Sequence, residues 1–118
     1  MAQFVQFFSR QAIAGNASSS GTIYSDIFDV AGVRNVDLEL RLFTFSGSGV
    51  DPQVAATIEQ TPDPSFAQTW STYTGLAGTG VATYSGVFTT TPKRFVRAKL
   101  DISAGSVSIV SFQARGFE

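Results

Sequence analysis

Three segments of the chain alternate between hydrophobic and polar residues. They are residues 34–45, 53–60 and 94–102. The first is the clearest, with hydrophobic side chains at every second position: Val36, Leu38, Leu40 and Leu42. A period of two places these side chains on one face of a β-strand and the polar ones on the other. Each segment is therefore predicted to be a strand with one buried face.

Five further segments are rich in β-branched or aromatic residues and are bounded by turn-forming residues. They are residues 3–14, 22–30, 68–74, 80–89 and 106–115. Glycine, proline, serine and asparagine separate the segments, including the glycine-containing stretch 75–80, which we interpret as a turn. Hydrophobic residues do not recur with a helical period. The pattern predicts an all-β protein, an antiparallel β-sandwich of about eight strands with a jelly-roll-like arrangement.

The length of 118 residues fits one β-sandwich domain over residues 1–118. Within it, residues 1–10 are unusually apolar because they contain Phe4, Phe7 and Phe8. These rings must be buried somewhere. Two alternatives are open: a first strand in the domain's own sandwich, or an N-terminal arm that reaches a neighbouring subunit. In either case we expect the three phenylalanines to lie at or near a protein interface.

Composition excludes more classes of function than any motif does. Eight Lys and Arg residues against nine Asp and Glu give a net charge of −1, which provides no positive field for nucleic acid or for an anionic membrane. The chain lacks His and Cys, so the usual general base, thiolate nucleophile and zinc ligands are missing. The first ten residues do not fit a signal peptide. We expect a protein that is not an enzyme and that needs no cofactor and no metal.

An acid–base pair of carboxylates would have to meet across a cleft. Glu39 and Glu59 are the best candidates for a shared face. The simpler interpretation is a solvated sheet face, on which Asp37 or Glu39 pairs across strands with a basic residue: Arg41, Arg97 or Lys99. Some aspartates could bind calcium, but they also fit ordinary turns. They are Asp26, Asp29, Asp51 and Asp63.

Aromatic residues offer a second kind of site. Trp70 and Tyr73, together with Tyr24 and Tyr84, could form a platform for a sugar or for a partner protein. Alternation within residues 68–74 puts Trp70 and Tyr73 on opposite faces, which favours a core tryptophan with a tyrosine at the rim. We retain both as candidate protein-interface residues.

Several pieces of the chain together resemble a pattern found in small jelly-roll virion proteins of tailed bacteriophages. They are Tyr24-Ser25-Asp26-Ile27-Phe28-Asp29-Val30, then Val36-Asp37-Leu38-Glu39-Leu40, then Ala56-Thr57-Ile58-Glu59-Gln60-Thr61-Pro62-Asp63, then Thr69-Trp70, and finally Lys93-Arg94-Phe95-Val96-Arg97-Ala98-Lys99-Leu100. The chain departs from that pattern at residues 61–64, where two prolines stand in place of a turn of small residues.

The resemblance implies a structural virion protein of the capsid decoration or cement type, with no catalytic residues. Such a protein stabilises a phage shell, binds the major capsid protein, forms a homo-oligomer that is expected to be a trimer, and is found in the virion after assembly in the host cytoplasm. The alternatives are a carbohydrate-binding module and an adhesion domain associated with a phage tail or fibre. Residues 64–92 carry no charge, and we expect them to provide the contact with other subunits.

Overall fold

The computed structural model describes residues 2–48, 51–65 and 70–117. In these ranges the chain forms nine β-strands and no helix. The strands are β1 (Ala2–Ala14), β2 (Gly21–Tyr24), β3 (Phe28–Asp29), β4 (Asn35–Ser46), β5 (Val54–Thr61), β6 (Ser71–Gly78), β7 (Ala82–Phe88), β8 (Phe95–Ile102) and β9 (Val107–Phe117).

The strands form two antiparallel sheets packed face to face. One sheet has the order β1-β9-β4-β7 and the other has the order β2-β8-β5-β6, with β3 also paired to β8. Because β2 and β3 both pair with β8, they act as one strand interrupted at residues 25–27. Counted in this way, the eight strands have the order of a jelly roll. The predicted fold class is confirmed, and the predicted strand at 22–30 is the interrupted one.

The three alternating segments are strands β4, β5 and β8, as predicted. Their hydrophobic positions face the opposite sheet and are almost completely shielded from solvent, with Leu40, Ala56 and Leu100 all at 0% exposure. The intervening polar residues face outward. Burial of this apolar surface drives the two sheets together.

Strand β1 pairs with β9 along almost its whole length, from Ala2 opposite Phe117 to Ala14 opposite Val107. The first residues are therefore a strand of this chain's own sandwich, the first of the two alternatives. Register shifts on either side of Phe8 interrupt the regular alternation. Such β-bulges allow Phe7 and Phe8 to point into the core together, although they are neighbours in the chain.

The predicted turn at residues 75–80 is mostly strand in the structure. Strand β6 covers Ser71–Gly78 and so includes most of this glycine-containing stretch. Gly75 is needed there because a Cβ atom at this position would lie 2.6 Å from the carbonyl oxygen of Ala56 on β5. The glycine therefore serves a close approach of two strands rather than a turn.

Candidate functional site

The outer face of the sheet β1-β9-β4-β7 carries a row of four side chains across its four strands. In order, these are Phe4, Arg115, Asp37 and Val87, each opposite the next in the strand register. The row ends in exposed apolar side chains at both edges of the sheet, since Phe4 is 60% exposed and Val87 is 69% exposed. In the centre, Nη2 of Arg115 lies 3.3 Å from Oδ2 of Asp37. We call this surface the front face.

A shallow groove of about 400 Å³ runs along the front face between Phe4 and Val87. The next row of side chains lines it, and there Nε2 of Gln113 donates to Oε1 of Glu39 at 3.5 Å. Further along the same face, the guanidinium groups of Arg10 and Arg41 both lie over the ring of Phe43. The front face thus combines two apolar edges with a polar middle.

The outer face of the other sheet, which we call the back face, contains an ion pair flanked by aromatic rings. Nε of Arg97 on β8 donates to Oε1 of Glu59 on β5 at 2.9 Å, and the two side chains are only 25% and 18% exposed. The Arg97 guanidinium carbon lies 4.2 Å from the ring centroid of Trp70 and 4.5 Å from that of Tyr24. Both rings are in the range of cation–π contacts. Trp70, Arg97, Tyr24 and Glu59 therefore form one cluster.

A second ion pair on the back face shifts the pKa values of both its members. Nη2 of Arg94 lies 3.0 Å from Oδ2 of Asp29. Hydrogen bonds from the Arg94 side chain, and then from the backbone N–H of Ala31, hold the pKa of Asp29 below its ordinary value. The same contact with Asp29 raises the pKa of Arg94. Such exposed pairs contribute little to stability on their own.

The predicted interface residues separate into two groups. Phe4 and Trp70 lie at the surface, Trp70 being half-buried under Arg97. Phe7 and Phe8 are each only 7% exposed, because they fill the core of their own chain. Their side chains are not available to a partner, which corrects the prediction for both.

Tyr73 is also placed differently from the prediction. Its ring packs against the core and lies 6.4 Å from the ring of Phe88, and its hydroxyl donates to the carbonyl of Thr90. Burial raises the pKa of this hydroxyl. The expected core tryptophan with a rim tyrosine is therefore reversed: Tyr73 faces inward and Trp70 lies outside on the back face.

The candidate acid–base pair does not exist. Glu39 lies on the front face and Glu59 on the back face, so the whole sandwich separates them. Each instead has a partner on a neighbouring strand, as the simpler interpretation of a solvated sheet face requires. That prediction named the right kind of contact, but the actual partners differ: Glu59 pairs with Arg97, and Asp37 pairs with Arg115.

Tyr24 is a candidate platform residue whose contact with Arg97 the sequence did not reveal, and nothing in the sequence singled out Arg10. Alternation indicates that Arg97 faces outward, but the contact with Tyr24 depends on the pairing of β2 with β8, which no local pattern encodes. Likewise, Arg10 reaches Phe43 only because β9 brings β1 and β4 into one sheet.

The structure also bears on metal sites and membrane-spanning helices. In the described ranges, no three acidic, histidine or cysteine side chains come together as metal ligands would. No helix of sufficient length and hydropathy to span a bilayer occurs among those residues.

Comparisons with known proteins identify the fold. No family model matches the chain, and no curated protein does. Among solved structures, the chain is similar to the PBSX exported protein XepA, with 12% identity and a TM-score of 0.58 over 98% of this chain. It is also similar to PirA, with 12% identity and a TM-score of 0.51, covering 99% of this chain and 93% of PirA. The chain spans 36% of the length of XepA. At these identities the similarity shows a shared β-sandwich fold.

Proposed function

We propose that this chain is a structural protein of a phage particle, of the capsid decoration or cement type. It forms a trimer, binds the major capsid protein and is located in the virion. The observation that carries the proposal is the pair of exposed apolar side chains at opposite edges of one sheet, Phe4 on β1 and Val87 on β7. Exposed apolar side chains at defined edges are suited to contacts between subunits.

The placement of the two residues favours a cyclic assembly. When one copy uses its Phe4 edge and the next copy uses its Val87 edge, the contact is heterologous, and such contacts generate a closed ring when the rotation between successive copies closes. The uncharged residues 64–92 support the same arrangement, because they supply β6 and β7 on one side of the sandwich. Val81, next to β7, adds a further exposed apolar side chain at 66% exposure.

The phage context is supported by the fold. The chain shares its β-sandwich with XepA, an exported protein of phage PBSX. The earlier resemblance to jelly-roll virion proteins points in the same direction. A protein that binds only the assembled shell stabilises it by mass action, without any catalytic step.

The assembly is tested by its mass in solution and by two matched variants. We expect the unmodified chain to sediment as a trimer and the Phe4→Ser and Val87→Ser variants each to sediment as monomers. Mixed together, they should form a dimer and nothing larger, because each supplies the edge that the other has lost. Val107→Ser, which alters a 52% exposed residue in β9, is the control and should remain trimeric. A monomeric unmodified chain would contradict the proposed ring.

The role in the particle is tested separately, by deleting the gene from the phage genome that carries it. We expect mass spectrometry to detect this chain in purified particles, and particles without it to release their DNA at a lower temperature. Absence of the chain from purified particles would exclude the virion role, whatever its oligomeric state.

A second candidate function, carbohydrate binding, is favoured by the back-face cluster. Trp70 and the half-exposed ring of Tyr24 provide flat apolar area, and the ion pair between them provides hydrogen-bonding groups. Glycan arrays and the fluorescence of Trp70 test this function. Binding that is lost in Tyr24→Ala and retained in Val107→Ser would favour it, and no response to any glycan would exclude it.

A further inference from the structure

Two arginines on the front face share one aromatic ring. The guanidinium carbon of Arg10 lies 4.3 Å from the ring centroid of Phe43, and that of Arg41 lies 4.6 Å from it. Both arginines are exposed, whereas Phe43 is half-buried. The cation–π contacts therefore place two positive charges beside one ring at the protein surface.

These charges have no counterion among the residues that the structure describes. Four other basic side chains form ion pairs, namely Arg94, Arg97, Lys99 and Arg115. No carboxylate oxygen in the described ranges lies within 4.0 Å of Arg10 or Arg41. The acidic residue that precedes Arg41 on the same face of β4, Glu39, is instead hydrogen-bonded by Gln113. Two like charges near one ring repel each other unless an anion is bound.

A hydroxyl group lies between the two arginines. Ser111 on β9 is directly opposite Arg41 in the strand register, and its Oγ accepts a hydrogen bond from the backbone N–H of Arg10 at 3.1 Å. Because Oγ is the acceptor in that bond, its own proton is free to be donated. The two guanidinium groups and this hydroxyl together present hydrogen-bond donors and carry no negative charge.

The backbone at Arg10 is in an unfavourable conformation that helps to create this arrangement. Its φ angle is +49°, in the left-handed region that side-chain-bearing residues rarely adopt. It lies within the second register shift of β1, between Phe8 and Gln11. A glycine would relieve the strain, so an arginine at this position costs some stability.

We propose that Arg10, Arg41, Phe43 and Ser111 form a binding site for an oxyanion. The ligand class is a carboxylate, sulfate or phosphate group, to which guanidinium groups donate paired hydrogen bonds. Both guanidinium carbons lie within 4.6 Å of one centroid, so a single small anion beside the ring is within reach of both. The site is independent of the proposed role in the particle.

The test uses the full chain titrated with millimolar sodium sulfate, phosphate, acetate or D-glucuronate at constant ionic strength. Backbone NMR shifts and the midpoint of thermal unfolding are followed together. We expect saturable shifts at Arg10, Arg41 and Ser111 and a saturable rise in the midpoint. A response to acetate and glucuronate alone identifies a carboxylate ligand, and a response to sulfate and phosphate alone identifies a tetrahedral one. Absence of a saturable response to all four would overturn the proposal.

Matched variants separate the site from the general stabilising effect of salts, which acts on every protein. Arg10→Gly should unfold at a higher temperature than the unmodified chain without anion, because strain and repulsion are both removed, and should show no saturable response. Arg41→Gln should also lose the response, whereas Arg34→Gln, at an exposed arginine before β4, should keep it. Equal responses of Arg10→Gly and the unmodified chain would overturn the proposal.

Discussion

Phe112 and Phe4 show how differently the same side chain is used in this protein. Phe112 on β9 is completely buried, and its ring stacks on that of Phe7 with the centroids 5.6 Å apart. Phe4 lies on the outer side of the neighbouring strand and is 60% exposed. Only the first of the two is expected to contribute strongly to folding stability, since stabilisation follows the apolar area removed from water.

Replacing Phe112 with alanine should therefore destabilise the protein by about 3–5 kcal/mol, through lost burial and the cavity that remains. At protein concentrations too low for assembly, the matched Phe4→Ala variant should differ from the unmodified chain by about 0.5 kcal/mol or less. Urea unfolding followed by circular dichroism measures both free energies. Similar losses for the two variants would show that Phe4 is buried in the folded chain.

Asp29 makes stability depend on pH. Its pKa is lowered from the ordinary value of 3.8, chiefly by the hydrogen bond from Arg94. A lowered pKa contributes stability that is fully present above 3.8 and is lost as the pH falls through the folded-state value. The Asp29→Asn variant lacks this contribution.

We therefore expect the difference in unfolding free energy between the unmodified chain and Asp29→Asn to shrink as the pH is lowered below 3.8. Arg94→Gln removes the hydrogen-bond donor to Asp29. It should weaken the pH dependence of the unfolding free energy over the acidic range in the same way. Denaturant unfolding at a series of pH values provides the comparison. A difference that stays constant over the acidic range would rule out the Arg94 contact as its cause.

At the scale of single residues, alternation predicted burial correctly where the strands are regular and failed where they contain bulges. Leu38 and Leu40 on β4 are buried as expected. Tyr73 lies beside the register shift between β5 and β6, where the count of two residues per repeat is broken. A bulge depends on the partner strand, and so the sequence of one strand does not reveal it.

At the scale of elements, β6 shows that a glycine-rich segment need not be a turn. Gly75 pairs with Thr57 inside the ladder between β5 and β6. Valine has a higher strand propensity than glycine, but this propensity depends on the neighbours that the side chain contacts. Here the first neighbour is a backbone oxygen, which cannot move aside as a flexible side chain can.

Gly75→Val should for this reason lower stability by about 1–3 kcal/mol, despite the gain in strand propensity. Ala77→Val, on the exposed part of the same strand, is the control and should change stability by about 0.5 kcal/mol or less. Thermal and urea unfolding measure the two effects. Stabilisation by Gly75→Val would contradict the close approach of β5 and β6.

At the scale of the whole molecule, the topology joins distant parts of the chain. The first strand pairs with the last, and β9 also pairs with β4. Closing such long loops is costly before the contacts form, which makes folding slow.

We expect refolding to take about milliseconds to seconds, the range typical of all-β proteins with non-local pairing. Stopped-flow dilution from urea, followed by the fluorescence of Trp70 and by far-ultraviolet circular dichroism, measures the rate. The two probes should change together if both sheets form around one core. Refolding within microseconds would contradict the observed strand order.

The sequence by itself determined the all-β class, the three regular strands and the outward position of their charges, because these follow from local alternation and from turn residues. Only the tertiary structure decided that Phe7 and Phe8 fill the core, that Glu39 and Glu59 lie on opposite faces, and that Arg10 meets Arg41 over one ring. These outcomes depend on strand order and register, which are set by packing between segments far apart in the chain.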